Sequence, residues 1–531
     1  PAPTNEALMI KRRKHIQEMK MKISQLACEI LAEPQKSIKM IKDLRLMMED
    51  RECPESFYTV KKLVTVSLSC LFVDIIPGYR IRERTEKEKE VKLSKDVKAL
   101  TEYEEGLLHQ YQLYLQSLEN MIKLRRKTGK NHPTDAQLSM SEVAVQCMCE
   151  LYTNTMHFNF HNNITVVLVP IANDDREPRI RRLCCDALET IFVTDKSGSA
   201  TLSAVKAIAK VGKEKGPNRL QQEFLETLLK LKINQVDYSL INHKKTKQEK
   251  KAAKEEKKKL SRRVLKHMKK QKKLNNELKE VAATEDHDEK MALHTETIQQ
   301  VFLIYFRILK HKNGELNSSQ LALPSVLKGL AKFAHLINVD FFSDLFSVLQ
   351  SLVSKQSLPL QQNIHCIFTA FTILFGQGEV LNIDPVDLYK MLFSMLHDIA
   401  TENPQSKAVK TDGKDDLEMM LMCVAVMLNK RRKQITLQSL LSFIKRLSTS
   451  ALQFPHSKET MKTLAEVQKL LNSNSKSMSL FDPSSQSFGT HKPYIDDPEK
   501  NSSQAACLWE MHLLNRHYAA AVKQTSNKIL R

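Results

Sequence analysis

Between Lys244 and Lys279 the chain places 17 Lys and Arg residues against four acids, Glu249, Glu255, Glu256 and Glu277. The chemistry open to such a block is contact with phosphate. Each engaged cation releases counterions, so binding would fall steeply with salt. Lys254, Lys257, Lys258, Lys259, Arg262, Arg263, Lys266, Lys269 and Lys270 are its candidate RNA-phosphate contacts, joined from the second half of the chain by Lys430, Arg431 and Arg432. No Phe, Trp or Tyr occurs in 244–279. Base stacking is therefore not expected there, and backbone contact without sequence readout is. The competing reading is a solvated linker or a nuclear localisation signal.

Other residues that could do chemistry are few. His157 and His161 have the i, i+4 spacing of a helical metal pair, but His157-Phe158-Asn159-Phe160-His161-Asn162-Asn163 holds no third ligand, so a structural junction is expected. Gly376-Gln377-Gly378 lacks the third glycine of a dinucleotide fingerprint and follows an apolar helical run, which makes it a turn. No phosphate loop, HExxH or GxSxG occurs. Asp174-Asp175 and Asp415-Asp416 read as turn or cap residues. The ten cysteines have no CxxC spacing and mostly lie in apolar stretches, so buried free thiols in a reducing compartment are expected. No enzymatic activity, cofactor, metal or small-molecule substrate is expected from this set.

The elements that must position these residues are helices. Only 12 glycines occur in 531 residues, about a third of average usage. Folds that depend on glycine for tight turns and close backbone approach are poorly supplied. Hydrophobic residues at 42% suffice for a large core. Runs of 15–25 residues with helical apolar spacing recur along the chain, separated by short breaks. The stretch 320–398 reads as helices near 322–336, 339–354, 358–375 and 385–398. In the first, Leu323, Val326, Leu327, Leu330, Phe333, Ala334 and Ile337 form one apolar stripe. Asp384-Pro385, Pro178, Pro217 and Pro324 supply start signals. The β-branched run 164–171 competes as a strand, but its helical neighbours favour a buried helix. Residues 91–126 read as one long helix. Helix pairs of about 40 residues point to an all-α fold, an α-solenoid of degenerate HEAT/armadillo-like repeats interrupted by a long basic helix.

The charge divides this array. The net charge is +21, and over half of it lies in 244–279. We expect a helical-repeat region over 1–240, a basic linker over 241–290 and a second helical-repeat region over 291–531. The Ser-rich stretch 472–490 reads as a surface loop. Smaller basic clusters are Lys11-Arg12-Arg13-Lys14, Lys123 with Arg125-Arg126-Lys127, Arg179 with Arg181-Arg182, and Lys430-Arg431-Arg432-Lys433. The last has a structural reason too, since cations are favoured at a helix C-terminus. No run of 18 apolar residues and no secretory signal occurs, so a soluble intracellular protein without a membrane partner is expected. The chain opens on Pro1 rather than Met, which leads us to expect a fragment with targeting signals outside it.

Several phrases carry a resemblance. Asp74-Ile75-Ile76-Pro77-Gly78-Tyr79-Arg80-Ile81-Arg82, Tyr103-Glu104-Glu105-Gly106-Leu107-Leu108 with Tyr111 and Tyr114, and the His157–Ile164 phrase resemble the nucleolar complex protein three family. In the second half, Tyr305-Phe306-Arg307-Ile308-Leu309-Lys310, Gly329-Leu330-Ala331-Lys332-Phe333-Ala334-His335 and Leu508-Trp509-Glu510 with Arg516-His517-Tyr518 are similar to its CCAAT-binding-factor-type domain. The resemblance runs in order along nearly the whole chain. It is loose over 196–240 and nearly lost over 455–500. It implies a non-enzymatic helical scaffold of the nucleolus and nucleoplasm. Such a scaffold would act on large (60S) subunit precursors and their ribosomal RNA, as a heterodimer with nucleolar complex protein two, in RNA maturation and intranuclear transport of the pre-ribosome. It also implies an alternative, a chromatin-bound adaptor for replication factors. A cargo adaptor of the transport-solenoid type is a third reading.

Overall fold

In a computed structural model the described residues are 5–49, 56–82, 94–125, 133–174, 176–216, 219–233, 287–311, 322–337, 342–354, 358–377, 386–401, 416–430, 435–481 and 489–530. Among them every regular element is helical, and none is a strand. The chain divides into two compact units, Pro1–Ile304 and Tyr305–Arg531.

The first unit contains α1 (Asn5–Ala32), α2 (Ile38–Leu46), α3 (Phe57–Ile75), α4 (Lys95–Lys123), α5 (Asp135–Asn154), α6 (His161–Ala172), α7 (Pro178–Thr194), α8 (Ser199–Lys215), the short α9 (Gln222–Glu226) and most of α10 (His287–His311). Local chemistry sets several starts. Ser94 accepts from the Val97 amide to open α4. Thr134 and Gln137 form a reciprocal capping box on α5. Pro178 stands at the first position of α7. The long helix expected over 91–126 is α4, and the β-branched run 164–171 is helical in α6.

Helices pack with their second neighbours as well as their next ones: α1 on α3, α3 on α5, α5 on α7, and α6 on both α7 and α8. That pattern builds a helical-repeat solenoid, because each helix closes the apolar face of the pair before it. Its centre is aromatic. Phe72 meets Tyr111 edge-on at 5.2 Å and stacks on Tyr114 at 5.2 Å, and Tyr111 meets Phe158 at 5.5 Å. The buried Tyr114 hydroxyl donates to the Thr65 carbonyl at 2.7 Å. Burial raises the Tyr111 phenol to about 12.

The second unit contains α11 (Leu323–Phe333), α12 (Phe342–Ser354), α13 (Leu360–Gln377), α14 (Val386–Thr401), α15 (Asp416–Ala425), α16 (Leu437–Ala451), α17 (Ser457–Ser473), α18 (Glu510–Leu514) and α19 (Ala520–Leu530). The same alternation recurs, with α11 on α13, α13 on α15, α14 on α16 and α17 on α19. The four helices expected over 320–398 are present, with ends displaced by at most three residues. Gly376 and Gln377 end α13 rather than forming a turn. Asp384, Pro385, Pro217 and the Gly378 position lie outside the described residues. The Ser-rich stretch keeps helical structure to Leu480, with Ser477 and Leu480 buried.

One glycine is required by close approach. A Cβ on Gly329 of α11 would lie 2.5 Å from Cζ of Tyr305, and closer still to its hydroxyl oxygen. Helix and tyrosine can meet only where the side chain is a hydrogen.

Candidate functional site

The basic block 244–279 lies outside the described residues, and with it Lys254, Lys257, Lys258, Lys259, Arg262, Arg263, Lys266, Lys269 and Lys270. Lys430 ends a π-helical turn, Val426–Lys430, that continues α15. Arg431 and Arg432 fall outside the described residues. The smaller clusters divide. Lys11, Arg12, Arg13 and Lys14 are exposed on α1. Arg125 turns inward to a nearly buried ion pair with Asp174. Arg181, itself mostly covered, pairs with the more exposed Glu223 at 2.9 Å. These two guanidiniums tie helices together and are withdrawn from any anionic ligand.

The His157–Asn163 phrase forms a junction. Asn159 clamps the Ile81 peptide from both sides, accepting from its amide at 3.0 Å and donating to its carbonyl at 2.9 Å. His157 Nε2 reaches the Pro77 carbonyl at 3.0 Å. Phe160 takes left-handed backbone at φ 65° and turns the chain into α6. His161 stacks instead on Tyr152 at 4.4 Å. The two imidazoles therefore have separate structural duties, as the junction reading expected. Among the described residues no three His, Cys, Asp or Glu side chains group as a metal site.

Beside this junction opens a polar cleft of about 850 Å³, lined by Arg80, His157, Asn163, Asp195 and Lys196 among others. Asp195 is the most strongly bonded of these residues. Its carboxylate accepts from the amides of Ser197, Gly198 and Thr201 at 2.8–3.0 Å and from the Thr201 hydroxyl at 2.9 Å. Those bonds outweigh burial and hold its pKa below the usual carboxylate value. The N-terminus of α8 is thus already capped by a fixed anion. The buried thiols of this unit are no nucleophiles, because burial raises Cys147 and Cys185 to about 12. Of the described cysteines, Cys28 and Cys70 are exposed and Cys507 is half-buried; the others are buried as expected.

Burial lowers His161 from 6.5 to about 4, with His157 adding a little and the Tyr152 carbonyl and Asp195 opposing. The folded state holds this ring neutral, so its stabilising share is complete above pH 6.5. It is lost as pH falls toward 4, because the unfolded chain takes up the proton first. Lowering the pH from 7 to 5 should cost the first unit about 2 kcal/mol through this group. Urea unfolding of the wild type and His161→Phe at both pH values checks it. The variant should lose that increment, and equal pH slopes would show that His161 does not carry it.

The second unit fixes an irregular segment, 489–506, and α18 against α16. Arg446 Nη1 donates to the Phe393 carbonyl at 3.0 Å and to Asp496 at 2.7 Å. Its Nη2 donates to the Pro493 carbonyl at 2.9 Å, and the guanidinium lies 3.8 Å from the Phe393 ring centre. Asn501 Oδ1 accepts from the Ser442 and Ser503 hydroxyls at 2.7 and 2.8 Å. Lys445 and Glu510 form a buried ion pair at 2.6 Å, with side chains 7% and 0% exposed. The Lys445 ammonium also donates to the Cys507 carbonyl at 2.6 Å and lies 5.0 Å above the Trp509 ring. Lys445 therefore holds one face of the chain's single tryptophan.

The outer side of α18 is open. Trp509, His512, Leu513 and Arg516 are exposed and follow i, i+3, i+4, i+7, while Leu508, Met511 and Leu514 are buried behind them. Sequence reading placed phosphate contacts elsewhere and passed over this stripe. The available signal was a lone tryptophan followed, from Met511 to Arg531, by four Lys or Arg and no acid.

Two families match the chain. Residues 18–114 match the nucleolar complex-associated protein family, and 363–526 match the CBF/Mak21 family. The nucleolar complex protein 3 homolog of Mus musculus is 43% identical over 99% of this chain and 64% of its own length. The Homo sapiens homolog is 44% identical over 97% of this chain and 62% of its own length. The nucleolar complex-associated protein 3 of Schizosaccharomyces pombe is 30% identical over 95% of this chain and 69% of its own length. The chain thus spans under two thirds of the length of the mouse and human relatives. Identity sustained along both units, with the two family matches at opposite ends, places this chain in the nucleolar complex protein 3 family.

Proposed function

We propose that this chain is a non-enzymatic assembly scaffold that works in the nucleolus on precursors of the large ribosomal subunit. It pairs with nucleolar complex protein two through an apolar solenoid face and holds ribosomal RNA through the phosphate backbone. The basic region within 241–290 serves as the clamp between two repeat regions, and Lys430, Arg431 and Arg432 add to it. The observation that carries this reading is the match, over nearly the whole chain, to relatives named for a nucleolar complex. A helical-repeat fold supports it, because stacked helix pairs offer long surfaces to large partners. Concentrated charge supports the RNA side.

Association with pre-ribosomal particles should survive DNase and be lost with RNase. Survival under RNase with loss under DNase would favour the chromatin adaptor. Neutralising Lys257, Lys258, Lys259, Arg262 and Arg263 to Gln should weaken RNA binding. It should also reduce the slope of log K against log salt by up to about 3.5, at ~0.7 per phosphate contact on single strands. An unchanged slope would reduce the block to a linker. The same five changes should leave pairing with nucleolar complex protein two intact, and its loss in a folded variant would overturn that division.

A further inference from the structure

We propose that the exposed face of α18 is a stacking platform for unpaired bases of single-stranded RNA, with Trp509 as its stacking ring and Arg516 as its phosphate partner. This site goes beyond the phosphate clamp, since it reads bases through their π-faces rather than the backbone alone.

The first argument is the state of the ring. Trp509 is 50% exposed, although the unit around it buries rings as large as Tyr305, Phe371 and Phe443. The ring is not loose. The Lys445 ammonium sits over one face, and that ammonium is itself fixed by the Glu510 carboxylate and the Cys507 carbonyl. Glu510 is further held by the Thr449 hydroxyl at 2.8 Å. One face is thus packed against a buried cation while half of the side chain remains open to solvent. A pre-ordered aromatic surface loses little entropy when a flat partner is laid on it.

The second argument is what surrounds the ring. Leu513 is 51% exposed one turn along, and Arg516 is exposed in the turn just past the end of the helix. Tyr518 is 79% exposed, its ring lying against His517 at 4.3 Å. α19 is tied beneath by the Ser526 hydroxyl, which donates to the Met511 carbonyl at 2.6 Å, and it adds exposed Lys523 and Lys528. None of Arg516, Lys523 or Lys528 forms an ion pair among the described residues. The one acid of α18, Glu510, is consumed by Lys445. Upstream, Asp496 is engaged by Arg446 and Asp497 by Lys390 and Lys500, while the exposed Glu499 accepts from the Thr436 hydroxyl at 3.4 Å.

Charge decides the occupant. A protein surface covering an apolar patch in this setting would have to bring its own acids to three unpaired cations. Single-stranded RNA supplies both requirements in every nucleotide, a π-face and a negative charge at a spacing that a helix face can follow. Aromatic rings interleaved with Lys and Arg are the pattern that binds it with little sequence preference.

The test uses the single tryptophan of the chain, whose emission reports this site alone. Full-length protein neutralised at Lys257, Lys258, Lys259, Arg262 and Arg263 is titrated with end-labelled oligo(U). Anisotropy of the label reports binding anywhere, and tryptophan emission reports the platform. The expected result is quenching that saturates with the anisotropy. A fully paired RNA duplex of equal length should bind without quenching. Trp509→Ala should weaken oligo(U) binding roughly tenfold or more, and Trp509→Phe should restore most of it, because stacking needs a ring rather than an indole. Binding with unchanged emission would place RNA elsewhere and overturn the platform while leaving the clamp standing. Equal losses in the Ala and Phe variants would make Trp509 a structural residue. Emission that responds to nucleolar complex protein two and not to oligo(U) would make the face a protein-docking surface instead.

Discussion

Replacing Lys445 with Met while Glu510 stays in place should destabilise the second unit by about 3–5 kcal/mol. The reason is what the substitution leaves behind. Glu510 is fully buried, and its Oε1 keeps only the Thr449 hydroxyl once the ammonium is gone. Its Oε2 has no hydrogen-bond partner in the native arrangement either. A carboxylate in that setting has lost the charge that compensated its desolvation. The double variant Lys445→Met with Glu510→Met should recover most of the loss, because removing both charges removes the desolvation penalty as well. Urea unfolding followed by Trp509 emission measures this in the correct unit, and the double-mutant cycle gives the coupling directly. A single variant as stable as wild type, or a double variant no better than the single, would show that the pair contributes no coupling. The emission maximum of Lys445→Met should also shift, since the cation that fixes one face of the ring is gone.

Gly329→Ala should destabilise the same unit by about 2 kcal/mol, against the direction that helix propensity gives. Alanine in a helix interior is favoured over glycine by roughly 1 kcal/mol. At position 329 that gain is overridden. The new methyl would sit 2.5 Å from Cζ and 2.7 Å from Cε2 of Tyr305, which is fully buried and has no room to swing aside. Overpacking of this kind costs about 1–3 kcal/mol, occasionally more. Gly212 in α8 is the contrasting case. There a Cβ would meet only Leu220 Cδ1 at 3.5 Å, an ordinary contact, so Gly212→Ala should stabilise the first unit by about 0.5–1 kcal/mol. Thermal unfolding of both variants separates the two effects, and shifts of the same sign would refute the steric account.

Much of the helix map was legible in advance because it rests on local physics. Apolar spacing of 3.6 residues marked α11 through α14, and proline at a helix start marked α7. The β-branched run 164–171 was the hard case. Its strand propensity yielded to position, since Ile164, Leu168, Val169 and Ile171 are all buried among neighbouring helices. The clusters of cations were much less legible. Arg125 and Arg181 read as surface charge beside their basic neighbours, yet each found a carboxylate more than forty residues away. Nothing within a window of one helix could reveal Asp174 or Glu223 as partners. The same holds for Lys445 and Glu510, which are 65 residues apart in sequence.

Glycine scarcity and helical apolar periodicity were sufficient to establish an all-α repeat protein, because both act through the backbone conformations that each residue allows. The density of Lys and Arg between 244 and 279 was sufficient to point to an anionic partner, because a net charge needs no coordinates. Which cations turn inward, why Gly329 must lack a side chain, and how Trp509 comes to lie on Lys445 with its other side open are different questions. They depend on contacts between helices distant in the chain, and such contacts exist only once the apolar faces have closed on one another.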